Sequence, residues 1–166
     1  RNYEVDTRMA AEFSANDLKK YDLVVLHQLP SSKYLIQSVL DEINKQQIPK
    51  IFLTGYQTDL YAFNKAQTLL NIDYTGNRSP NEVTMIYNPG FNSFNTSDEL
   101  RNKLGTFSPL LSPFGEYAAS PSAQVLAYQK IGQVDTEFPL ILMGEANDIR
   151  TCIIAGEGIW KWQLYD

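Results

Sequence analysis

Two stretches decide the fold: Asp22-Leu23-Val24-Val25-Leu26-His27-Gln28-Leu29-Pro30, and Lys50-Ile51-Phe52-Leu53-Thr54-Gly55. Each is a continuous apolar run, the pattern of a strand covered on both faces. Between them, Pro30-Ser31-Ser32 ends the first run and supplies a helix cap. From Lys33 to Gln47, Leu35, Ile36, Val39, Leu40 and Ile43 then recur at helical spacing, and Pro49 stops the helix. After Gly55, Leu60, Phe63, Ala66, Gln67 and Leu70 mark a second one-sided helix. Strand–helix–strand–helix alternation predicts a parallel α/β sheet with right-handed crossovers.

Upstream, Asn2-Tyr3-Glu4-Val5-Asp6 reads as a short strand, and Ser14 caps a helical turn through Leu18 and Tyr21, with Asp17 at its positive end. Downstream, Glu82 to Tyr87 is strand-like and Ser97 caps a short helix. Residues 105–122, with Pro109, Pro113 and Pro121, read as an irregular loop that packs through Phe107, Leu110, Leu111, Phe114 and Tyr117. Three strands follow, Gln124 to Lys130, Phe138 to Met143 and Arg150 to Ala155, linked tightly enough to run antiparallel. The expected fold is one domain over 1–166 of class α/β. Its sheet is three-layer, flavodoxin-like or Rossmann-like, mostly parallel, with antiparallel strands near the C-terminus.

Composition narrows the function. The 166 residues are 43% hydrophobic and 20% charged, and contain no apolar run long enough to span a membrane. Fourteen basic against nineteen acidic residues give a net charge of −5, which disfavours nucleic acid as a partner. One cysteine, Cys152, excludes an internal disulfide. One histidine, His27, excludes a His-rich metal site, and no cofactor is expected. The chain opens on Arg1 and closes on Trp162-Gln163-Leu164-Tyr165-Asp166, so it reads as a piece of a larger protein.

In open parallel sheets ligands sit beyond the carboxyl ends of strands. Two such ends are legible: His27-Gln28, and Gly55-Tyr56-Gln57-Thr58-Asp59. The second has the strand–glycine–helix form of a nucleophile elbow, yet Gln57 stands where a nucleophile would.

These two segments resemble the class I glutamine amidotransferase-like domain, in a divergent branch found within larger bacterial membrane-associated proteins. The ending Gly156-Glu157-Gly158-Ile159-Trp160-Lys161-Trp162 is similar to a glycine-Ile/Leu-Trp-basic-Trp signature of that branch. Active members carry cysteine in a G-x-C-x-G elbow, where this chain has Gly55, Tyr56, Gln57, Thr58 and Asp59. They place histidine and glutamate after a late strand, where this chain has Gly156-Glu157-Gly158. The resemblance therefore implies the fold without glutaminase activity and with no catalytic residue. It also implies a first, central strand ahead of Arg1, whose absence would leave Asp22–His27 with an apolar edge open to another chain.

Each candidate residue has a functional and a structural reading. His27 is a ligand-binding or general-base residue, or orients a loop at the rim. Tyr56, Gln57, Thr58 and Asp59, with Gln28, grip a polar ligand, or Thr58 or Asp59 caps the next helix. Cys152, inside Thr151-Cys152-Ile153-Ile154, reads as a buried inert thiol. Trp160 and Trp162 share a face on an extended chain and form a partner surface or pack on the irregular loop. Glu145, Asp148 and Glu157 with Asp59 match no metal motif and read as solvated carboxylates. Asn77-Arg78-Ser79 and Asn95-Thr96-Ser97 match a glycosylation pattern that arises readily by chance.

Three functions stand at this point. The first is an inactive binding or assembly module, soluble itself, within a membrane-associated bacterial protein. Its partners would be other segments of that protein, a separate protein, or a second copy at the sheet edge. The second is a hydrolase or transferase built on His27, Gln57 and Asp59. The third is a sensor of a small polar ligand, read by Tyr56 and Gln57.

Overall fold

The computed structural model describes residues 3–74, 76 and 79–165. Arg1, Asn2, Asp166 and the Asn77-Arg78 part of the first glycosylation pattern lie outside them. Strand β1 (Val24–His27), helix α1 (Gln37–Lys45) and strand β2 (Lys50–Leu53) form the expected crossover, with β1 and β2 parallel. Helix α2 (Leu60–Ala66) follows, then β3 (Leu70–Asp73) and β4 (Asn81–Tyr87). Helix α3 (Asp98–Leu104) leads into β5 (Leu110–Ser112), β6 (Glu116–Ala119), β7 (Gln124–Ile131), β8 (Val134–Ala146) and β9 (Ile149–Ile154). Ser14 caps a 3-10 turn over Ala15–Lys20, accepting from the Asn16 N–H while the Asp17 carboxylate accepts from the Ser14 N–H. A second 3-10 segment covers Ile159–Tyr165.

Among the described residues the main sheet runs β1-β2-β9-β8-β7-β4-β5, and β3 pairs with β6 in a small antiparallel sheet. The class is α/β with a mixed sheet. Parallel pairing joins β1 to β2 and β2 to β9, and the four other pairings are antiparallel. Tight links account for two of these: β8 and β9 meet at Asn147-Asp148, both at positive φ (52° and 61°), and β7 and β8 at Gly132 (φ 57°). Such two-residue turns match the twist of antiparallel neighbours.

Packing covers both faces of the sheet. On β9, Ile153 belongs to the cluster of Leu26, Val39, Leu40, Ile43, Phe52 and Phe63 beneath α1 and α2. Its neighbour Ile154 packs with Val83, Leu104, Leu110 and Leu140 on the other side, where Trp162 also lies. Phe52 and Phe63 meet edge to face at 5.5 Å. Among the described residues no helix is long and apolar enough to cross a membrane.

Several expectations need correction. Residues 3–6 are in no strand, and among the described residues no backbone hydrogen bond ties them to another segment. Strand β1 is covered on one face only: Leu26 is 4% exposed, whereas Val25 and Leu23 are 51% and 48% exposed. An apolar run shows that a strand wants burial, while its place at the sheet edge decides how much it gets. Helix α1 starts at Gln37 rather than Lys33, with Ile36 at a left-handed φ of 51° and no side-chain cap. Ser31 instead accepts the Tyr34 N–H at 3.1 Å in a separate tight turn. Leu70 opens β3 rather than ending α2, because Gln67 stops the helix. Its amide accepts from the N–H groups of Leu69 and Leu70 and donates to the Leu70 carbonyl. The loop 105–122 is packed as expected but carries β5 and β6.

Candidate functional site

The bend after β2 is built around Gly55. A Cβ there would lie 2.3 Å from Glu157 Oε2 and 2.7 Å from Gln28 Cδ, so only glycine lets both side chains close over the turn. The amides of Gly55, Tyr56 and Gln57 are all taken. Thr58 Oγ1 accepts the Gly55 N–H at 3.0 Å, Glu157 Oε2 accepts the Tyr56 N–H at 3.2 Å, and Gln28 Oε1 accepts the Gln57 N–H at 2.9 Å. In an acyl-transfer elbow the N–H of the residue after the nucleophile holds the developing oxyanion, and that position here is Thr58, whose N–H donates to the Gly55 carbonyl at 3.1 Å. The protein's own oxygens thus hold the Thr58 amide as well as those of Gly55, Tyr56 and Gln57.

Each of those oxygens is delivered by a distinct local structure. Gln28 leaves β1 at a left-handed φ of 54° while its N–H donates to the Leu53 carbonyl at 2.7 Å, which swings its side chain over the bend. Glu157 is clamped from both sides of its backbone: it accepts the Leu111 N–H at 3.0 Å and donates its own N–H to the Leu111 carbonyl at 2.9 Å. Directly beneath, Thr54 is buried and its Oγ1 has no hydrogen-bond partner among the described residues.

The sequence-predicted residues divide cleanly. Gln28, Tyr56, Gln57 and Thr58 come together at the bend. Asp59 caps α2, its Oδ1 accepting the Ala62 N–H at 2.9 Å, as the structural reading expected. His27 ends β1 with its side chain exposed. Among the described residues no hydrogen bond joins His27, Gln57 and Asp59. Tyr56 is 76% exposed and Gln57 is exposed too, so the bend lies open to solvent.

Cys152 sits in the middle of β9, between β2 and β8, and burial pushes its thiol up to about 11. A thiolate is therefore disfavoured at neutral pH, which fits the inert reading. Glu145 and Asp148 are exposed beside the β8–β9 turn, apart from Glu157 and Asp59, and no cluster of three or more metal-ligating side chains occurs among the described residues.

Trp160 and Trp162 do not share a face. They lie in a 3-10 segment, where two residues turn through about 240° instead of the 360° of an extended chain. Trp162 stacks on Phe107 at 5.1 Å and donates Nε1–H to the Ser108 carbonyl at 2.9 Å. Trp160 points away and is 64% exposed. Sequence reasoning weighed Glu157 as a solvated carboxylate and did not place it on the bend. The signal available was its position in Gly156-Glu157-Gly158, a segment able to approach another backbone closely.

No family model matches the chain, and no curated protein matches it. Solved structures do. A cytoplasmic protein of Salmonella typhimurium LT2 superposes with a TM-score of 0.51 at 18% identity, over 88% of this chain and 65% of that protein's own length. A β-galactosidase from Bacillus circulans sp. alkalophilus aligns with a TM-score of 0.47 at 10% identity, over 90% of this chain and 22% of the enzyme. At such identity the first similarity extends to the fold alone, and the chain spans about two thirds of the length of that protein.

Proposed function

We propose that this chain is a catalytically inactive glutamine amidotransferase-like domain of flavodoxin-like or Rossmann-like build. In this reading it serves as a binding or assembly module of a larger bacterial membrane-associated protein. The contact is β-strand addition at the free edge of β1 by an extended segment of that protein.

The observation that carries this reading is the unpaired apolar edge. The N–H groups of Val24 and Gln28 point to β2, bonding Pro49 and Leu53, so by strand alternation those of Val25 and His27 face outward. Beside them runs a groove of about 130 Å³ whose lining includes Leu23, Val25, Leu29, Asp6, Arg8 and Ala10. Asp6 is held in place there, accepting from the Tyr21 hydroxyl and from Arg8 Nη2 at 3.1 Å. A four-residue edge is small beside the roughly 1,200–2,000 Å² that a stable protein–protein contact buries, which favours one added strand over a second copy. The filled amides at the bend support the inactive reading. A rim hydrolase would need a nucleophile there, and a sensor an enclosed pocket.

Amide hydrogen exchange tests this reading, measured on the 166-residue chain alone and within the intact parent protein. Val25 and His27 are expected to exchange rapidly in the isolated chain and slowly in the parent. Equal, fast exchange in both would refute strand addition. A solution mass of twice 18.9 kDa, lost in Val25→Lys, would put a second copy on the edge instead. Glutamine turnover would overturn the inactive reading.

A further inference from the structure

Lys50, the first residue of β2, is 5% exposed. Its Nζ donates to Asn44 Oδ1 at 2.7 Å, and the ion pairs formed among the described residues do not include it. Buried ammonium groups are ordinarily paired with a carboxylate, since desolvation of an unpaired charge is costly. Here one neutral oxygen serves one of three N–H donors. Burial alone lowers the Lys50 pKa, with no opposing charge to raise it.

Lys50 also lines a cavity of about 270 Å³ between the C-terminal ends of α1 and α2 and the start of β9. Lys65, Thr68, Asn147 and Thr151 line it with Asn44 and Lys50, and no Asp or Glu is among the lining residues. In a chain with nineteen acidic residues and a net charge of −5, this is a local reversal of sign. The volume exceeds what a few waters need, at about 30 Å³ each, and approaches the smallest ligand pockets. The C-terminal ends of α1 and α2 carry a partial negative charge that eases the burial of Lys50 but opposes an anion, so anion binding there depends on the Lys50 charge.

We propose that this cavity binds the anionic group of a small molecule, a carboxylate or phosphate, with Lys50 as the cation and Thr68, Asn147 and Thr151 supplying neutral donors. The site lies at the amino ends of β2 and β9, the opposite end of these strands from the bend at Gly55. It is independent of strand addition at β1.

The test is a titration of the 166-residue protein with inorganic phosphate and, separately, succinate, at constant ionic strength and followed by amide chemical shifts. Saturable shifts at Thr68, Asn147 and Thr151 are expected, with affinity at least about tenfold weaker in Lys50→Met. That variant should fold, because an apolar chain of similar length replaces an unpaired buried charge. Should it fail to fold, the Lys50 Nζ resonance of the unaltered protein gives the same answer by shifting with either probe. Saturation by one probe alone identifies which anion the site prefers. Absence of saturable shifts with both, or equal affinity in Lys50→Met, overturns the proposal.

Discussion

The Glu157 carboxylate accepts the Tyr56 N–H at 3.2 Å, joining the turn after β9 to the bend after β2 across 101 residues. Its Oε2 would lie 2.3 Å from a Cβ at Gly55. Gly55→Ala should therefore cost about 1–3 kcal/mol in urea denaturation, the range for forced overpacking. The cost should shrink in a Glu157→Ala background, because the carboxylate is the nearer obstacle. Strictly additive effects of the two changes would show that they do not meet.

Asp59 caps α2 through its Oδ1. Asp59→Ala should lose about 0.5–2 kcal/mol of stability, the usual loss of an N-cap, while Asp59→Asn keeps most of it through its amide oxygen. Thermal unfolding of the two variants measures this, and equal losses would point to a role for the charge rather than the cap.

Neighbouring residues of β1 should respond in opposite ways. Leu26 is buried at 4% exposure among Val39, Leu40 and Phe52, so Leu26→Ala should cost about 2–5 kcal/mol. Val25 is 51% exposed, and Val25→Lys should change the stability of the isolated chain by no more than about 0.5 kcal/mol. A large loss in Val25→Lys would mean that the edge is already covered in solution.

Alkaline titration separates the buried groups by sign. Cys152 is raised from 9.0 to about 11 and Tyr117 from 10.0 to about 12, each chiefly by burial. Their folded values exceed the unfolded ones, so their contribution is whole below about pH 9 and is lost as pH rises through 11 and 12. Lys50, lowered from 10.5, runs the other way: the cost of its buried charge lifts as pH rises through its folded value. At pH 8 the native Cys152 should react with iodoacetamide roughly 100-fold more slowly than in denaturant, following its thiolate fraction. Alkylation at the denatured rate would show a thiol open to solvent.

What could be read along the chain is what neighbours in sequence settle by themselves. The crossover from β1 through α1 to β2 followed from two apolar runs around a helical period. Ser14, Asp59 and Ser97 act on N–H groups two or three residues ahead, so their capping is legible from spacing. Gly55 announced a sharp turn, and Gln57 announced that the turn lacks a nucleophile.

Spacing was silent where partners are distant. Nothing near Val25 shows that β1 ends the sheet, because strand order depends on which strands find each other after the chain has turned. Strands β3 and β6 are four residues each and pair Leu70 with Ala119, a match that no local pattern encodes. Trp160 and Trp162 parted because the last segment coils instead of extending. The same limit governs the two sites. Local residue preferences built the bend at Gly55 and the start of β2. Packing brought Glu157 onto the amides of the first and left Lys50 of the second without a carboxylate, since electrostatic partners are chosen by distance in space, which chain order does not record.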